Sequence, residues 1–164
     1  MPPPARKLLV ESLVLPILDY GSIVHEGMLG VCSNRIKRIQ NACLRFVFKL
    51  PWDSRISHYF ASAKWLNIRQ RRDYQVLILL KKVLTRQAPS YIFIKLLFVN
   101  TIHKRNLRDP KLLRLPYHRS DKEGGAFWIY ANKRWLQLPN NVISCISINA
   151  FKRHRAFFLS LINP

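Results

Sequence analysis

Acidic residues are scarce in this sequence: 8 Asp and Glu stand against 28 Lys and Arg in 164 residues, a formal net charge of +20 at pH 7. The few acids, from Glu11 to Glu123, are scattered, and no two aspartates are adjacent. Two-metal nucleotidyl transfer needs clustered carboxylates, so this stretch of chain is not expected to catalyse it. Glycine is sparse, and its one Gly-Gly pair, Gly124–Gly125, lies in a segment without periodicity, which excludes a glycine-rich phosphate loop. Cysteine is limited to Cys32, Cys43 and Cys145, an odd and widely spaced set that forms no disulfide framework. No C-x₂₋₄-C or H-x₃₋₅-H pair occurs, so no zinc site is expected. No apolar run approaches the ~18 residues of a membrane span; those present, such as VLILL at 76–80, are of core length. The opening MPPPARKLLV has no apolar stretch followed by a small-residue cleavage site, so no signal peptide is expected. These absences predict an intracellular protein, nuclear or cytoplasmic, with no cofactor, no small-molecule substrate and no membrane.

Apolar residues are plentiful, at 49%, with 12% aromatic, enough for a packed core. The periodicities predict a mainly α fold. An apolar helix over 5–27 carries Pro16 in its interior, where the missing N–H predicts a kink. NRIKRIQNACLRFVFKLP, residues 34–51, is an amphipathic helix capped by Ser33 or Asn34 and ended by Pro51. At about 100° per residue, Ile36, Ile39, Cys43, Phe46, Val47 and Leu50 share one arc, while Arg35, Arg38, Arg45 and Lys49 gather opposite it. That wet face has no acid mixed in. A short helix capped by Ser54 or Ser57 follows. Asn67 and Gln70 then open a longer helix with the spacing of a capping box. Arg69, Arg71 and Arg72 fall in its first two turns and predict a cationic front end, with an apolar back end behind it. SYIFIKLLF gives another short helix. Residues 99–125 read as a basic linker, with a short strand at KLLRLP, and 126–162 as a smaller, mostly helical lobe with a helix capped by Ser147. Half of all Lys and Arg fall in residues 61–120. A pI near 10.7 predicts attraction to nucleic acid. Trp52, Trp65, Trp128 and Trp135 are expected as core plugs, and His58, His103, His118 and His154 as surface or linker residues.

The segments SLVLPILDYGS, RIKRIQNACLRFVF, WLNIRQRRDYQVLILLKKVL with APSYI, LRLPYHRS, ANKRWLQLPNNV and FKRHRAFFL occur in that order over about residues 6–160. In order and spacing they resemble the thumb and C-terminal region of a non-LTR retrotransposon reverse transcriptase of the jockey-like, LINE-type branch. The resemblance implies a thumb-like helical bundle over 5–98, the basic linker over 99–125 and a C-terminal helical region over 126–162. It implies that Tyr20 and Gly21 close the first thumb helix and that Gln40, Asn41 and Arg45 belong to an R-x-Q-N-x-x-x-R helix. Trp65, Arg69, Gln70, Arg71 and Arg72 match a W-L-x-x-R-x-R-R segment, and Trp135, Leu138 and Pro139 a W-x-x-L-P turn. Three positions depart from the family's usual residues: His25 replaces an aromatic, Lys64 a glycine and Asn67 a proline.

A polymerase thumb grips the template–primer behind the active site, through phosphate and sugar. The resemblance therefore implies an RNA or RNA–DNA duplex as partner, alongside the palm and fingers of a parent RNA-directed DNA polymerase. The paired aspartates of the palm, which work with Mg²⁺, have no counterpart in these 164 residues. Arg35, Arg38, Arg45 and Lys49 would form one phosphate-facing stripe and Arg69, Arg71 and Arg72 a second, with Lys64 a further nucleic-acid contact. Two alternatives stay open: a nucleic-acid-binding protein turned to a cellular task, and a product without function.

Overall fold

A computed structural model of the chain describes residues 1–22, 30–88, 90–94, 96, 113–115, 117–120, 124, 126–145 and 147–154. The fold is mainly α, and among the described residues there is no strand. Of the expected strand KLLRLP, Leu113 is a single bridge position, and residues 111, 112 and 116 lie outside the described residues. So does most of the expected linker. Two compact units form, residues 1–75 and 76–154, and the division falls inside one long helix.

The first unit opens with α1 (Pro3–Leu9), runs through a π-helical stretch (Val10–Val14) and continues as α2 (Leu15–Asp19). Pro16 thus follows directly on a widened turn. Proline cannot donate to the carbonyl four residues back, and a π segment is one way a helix absorbs that loss. Helicity ends at Asp19, short of residue 27: Tyr20 is extended, and Gly21 takes a φ of 65° that favours glycine. Next come α3 (Gly30–Phe48), α4 (Ser57–Ala63) and α5 (Ile68–Leu84). Val10, Leu15, Cys43, Leu44, Val47, Ala63 and Trp65 form the core, with Leu18, Phe48 and Phe60 packed against it.

The buried side of α3 is not the one its periodicity predicts. Gln40, Cys43, Leu44 and Val47 are buried, whereas Ile39 and Phe46 stay about half exposed. The helix is turned by roughly 60° from the expected arc, at about 100° per residue. Two contacts account for this. The Gln40 side-chain amide donates to the Leu66 carbonyl at 2.8 Å, which draws that side inward. Arg6 donates to the Phe46 carbonyl at 3.2 Å and lays its guanidinium over the Phe46 ring, covering an outer position with a cation.

The capping box of α5 forms as its spacing predicts. The Asn67 N–H donates to Gln70 Oε1 at 2.9 Å, and the Gln70 N–H donates to Asn67 Oδ1 at 3.0 Å. No side-chain cap forms on α4; Ser54 donates instead to the Pro51 carbonyl. Helices α3, α4 and α5 end alike. Lys49, Lys64 and Arg86 have φ of 53°, 56° and 56°, and the next residue's N–H reaches back five positions, as in Leu50 to Arg45 and Trp65 to Phe60. This is the Schellman ending, with a basic residue where glycine fits most easily.

In the second unit the back of α5 buries Val76, Leu77, Ile78, Leu80 and Val83. The unit continues with α6 (Ser90–Ile94), α7 (Phe127–Trp135), α8 (Asn140–Ile143) and α9 (Ile148–Arg153). Helix α9 is capped as expected, the Ala150 N–H donating to Ser147 Oγ at 3.1 Å. Trp135 stacks on Phe151 with ring centroids 6.0 Å apart. Lys81 is buried beside both rings and donates to the Ile143 carbonyl at 3.1 Å. Burial pushes its pKa below the ordinary 10.5, partly countered by Cys145.

Candidate nucleic-acid interface

The cationic side of α3 stands out from the first unit. Arg35, Arg38 and Lys49 are exposed, and none has a carboxylate partner among the described residues. At about 100° per residue Arg35 and Arg38 lie away from the Gln40–Leu44–Val47 side that faces the core, and Lys49 stands just past the helix end at a φ of 53°. A helix buried on one side, whose outward charges are all positive, gives a rigid spacing of cations. Lys64 and Arg69 are exposed as well.

Arg45 differs from its neighbours. It is half-buried, its Nε is enclosed without a hydrogen-bond partner, and its guanidinium lies 4.9 Å from the centre of the Trp52 ring. Trp52 is 78% exposed, so it is not the core plug its residue type suggests. Trp65 and Trp135 are buried as expected, and Trp128 is half-buried. Trp52 follows Pro51 immediately after α3, where the turn carries its ring out of the core and alongside Arg45. An exposed indole paired with a cation is a surface on which a nucleobase can stack. The available signal was its neighbour Pro51, which takes Trp52 out of any helical register.

The front of α5 corrects the expected second stripe. Arg71 and Arg72 are each only 8% exposed. Arg71 Nε donates to Asp19 Oδ1 at 2.8 Å, and Nη2 makes a second bond to Oδ2 of the same carboxylate. This two-pronged pair ties α5 to the end of α2. Arg71 thus holds the unit together, and Arg69 alone of the three arginines reaches the surface. The adjacent Trp65 is anchored in the same way, its indole N–H donating to Glu11 at 2.8 Å.

Arg69 lines a cavity of about 490 Å³ within the first unit, bounded by α3 and the starts of α4 and α5. Lys37 lines it from α3. Lys37 falls between the buried and the cationic sides of α3 and belongs to neither by periodicity.

Among the described residues no three His, Cys, Asp or Glu come together as a metal site, and no helix is long and apolar enough to cross a membrane. Cys32, Cys43 and Cys145 are free; burial pushes the Cys43 thiol pKa up, away from a reactive thiolate. His58 is exposed, His118 and His154 are half-buried, and His25 and His103 lie outside the described residues. The chain matches no family model, no curated protein and no solved structure.

Proposed function

We propose that this chain grips the sugar–phosphate backbone of nucleic acid without reading sequence, as a thumb-like piece of a retrotransposon-type RNA-directed DNA polymerase whose chemistry lies elsewhere. One observation carries the reading: Arg35 and Arg38 stand exposed on a helix whose opposite side is core, Lys49 stands exposed at its left-handed end, and none of the three has a carboxylate partner among the described residues. Phosphates are the partner such a row lacks, and each contact releases counterions. Two details support the resemblance to a reverse-transcriptase thumb. The first helix closes at Tyr20 and Gly21, and Lys64, where that family usually has glycine, has a φ of 56°. The RNA–DNA duplex of a template–primer is the expected ligand, with Trp52 available to stack an unpaired base.

The test is the salt dependence of binding to an RNA–DNA hybrid. Log K should fall linearly with log[salt], losing about 0.7–0.9 of slope for each phosphate contact removed. Alanine at Arg35, Arg38 and Lys49 together is expected to flatten that slope by about 2 to 3, whatever the sequence of the hybrid. An unchanged slope would sink this assignment of the interface. The family is tested separately, by reading the transcript upstream of the Met1 codon for an in-frame palm with paired aspartates.

A further inference from the structure

The 490 Å³ cavity is separate from the row on α3, and its lining has a definite chemistry. Lys37 and Arg69 contribute two positive charges, and neither has a carboxylate partner among the described residues. Among the described residues no acid lines the cavity. Ser33, Asn34 and Ser57 add neutral hydroxyl and amide groups, while Phe60 and Ile68 give an apolar wall. The floor is fixed by Gln40, which is 1% exposed and tied to the Leu66 carbonyl.

We propose that this cavity binds the phosphate monoester of a nucleotide. A monoester carries about −1.5 to −2 at neutral pH, which two cations balance, whereas a backbone diester carries a single charge. The volume lies within the roughly 300–1,000 Å³ of small-molecule pockets, so one nucleotide fits and a duplex does not. Hydroxyl and amide groups suit the remaining phosphate and sugar oxygens, and the Phe60–Ile68 wall suits a base or sugar face. The same chemistry has two sources: a free nucleoside monophosphate, or the 5′-phosphorylated end of a strand. The second would deepen the proposed grip by seating a terminus beside it.

The experiment uses the full chain at one fixed salt concentration. Fluorescence anisotropy compares a short single-stranded RNA bearing a 5′-phosphate with the same RNA bearing a 5′-hydroxyl. In parallel, amide-resolved NMR follows titration with AMP and with adenosine. The 5′-phosphate is expected to tighten binding at least roughly tenfold, the worth of one charge-assisted hydrogen bond. Lys37→Ala and Arg69→Ala, both at exposed positions, should each remove most of that ratio, while Lys82→Ala, the same charge loss elsewhere, should leave it intact. AMP, and not adenosine, should shift amides around Ser33, Ser57 and Arg69. A response to the RNA alone identifies the strand end as ligand, and a response to AMP alone identifies the free nucleotide; either supports the site. No monoester preference in either arm, or a preference that survives both Lys37→Ala and Arg69→Ala, overturns it. Because the readout is a ratio at fixed salt, failure here leaves the salt slope of the α3 row untouched. A lost slope leaves this ratio standing.

Discussion

Arg71 separates a structural arginine from a nucleic-acid contact, and the two roles predict opposite phenotypes. Its side chain is 10% exposed and that of Asp19 25% exposed, so the pair sits between the interior and the surface. Breaking a fully buried pair costs about 3–5 kcal/mol because a charge is left stranded; breaking an exposed one costs about 0–1 kcal/mol. Asp19→Ala strands the more enclosed partner, Arg71, and is expected to cost about 2–3 kcal/mol. At roughly 2–4 °C per kcal/mol for a chain of this size, the melting temperature should fall by about 4–12 °C. Arg71→Met keeps much of the apolar stem and strands only the better-hydrated carboxylate, so about 1–2 kcal/mol is expected. The double variant should lose less than the sum of the two, the shortfall being the coupling between them. Urea denaturation of the four proteins gives these values, and hybrid binding is then measured on folded protein. Arg71→Met should leave the salt slope as it was. If it instead flattens the slope by about 0.7–0.9 with stability unchanged, Arg71 faces phosphate and the clamp is misassigned.

Other expectations follow from single features. Lys64→Gly, at φ 56° in the ending of α4, should raise stability by about 0.5–1 kcal/mol in urea denaturation. Lys49→Gly should do the same at φ 53° in the ending of α3; a loss at both positions would refute the left-handed endings. Lys81 predicts a pH dependence. Its pKa in the folded protein is lowered from 10.5, so the folded chain releases that proton before the unfolded chain does. The unfolded state then holds more protons, and stability from this group rises with pH through the window between the lowered pKa and 10.5. Urea midpoints of wild type and Lys81→Met should therefore converge, or wild type should gain, as pH climbs from 7 to 10; a constant gap would contradict this. Trp52→Ala should weaken binding to single-stranded RNA by about 1–3 kcal/mol, with loss of most binding-induced fluorescence quenching. Quenching that persists would point to one of the other three tryptophans.

Local chemistry made much of this protein legible in advance. The body of the helix expected from residue 34, the helix over 68–84, the Asn67–Gln70 box, the Ser147 cap and the apolar back of α5 depend on neighbours within a few residues, and periodicity and capping rules report on such neighbours. The expected caps Ser33 and Asn34 were overrun, α3 starting at Gly30 and ending at Phe48. The exposure of Arg35 and Arg38 follows from the same arithmetic, whereas that of Lys49 belongs to the left-handed ending of α3. Tertiary partners far along the chain decided the rest. Asp19, fifty-two residues away, turned Arg71 from an expected phosphate contact into a buried clamp. Leu66 rotated α3 by drawing in Gln40, and that left Ile39 and Phe46 half exposed. Packing of α3 against the start of α5 put Lys37 and Arg69 around one cavity, although thirty-two positions separate them. A charged side chain carries no mark of whether it will meet water, a phosphate or a carboxylate. Charge and period by themselves determined that this chain is helical and strongly basic, and the fold selected which of its cations remain free to bind.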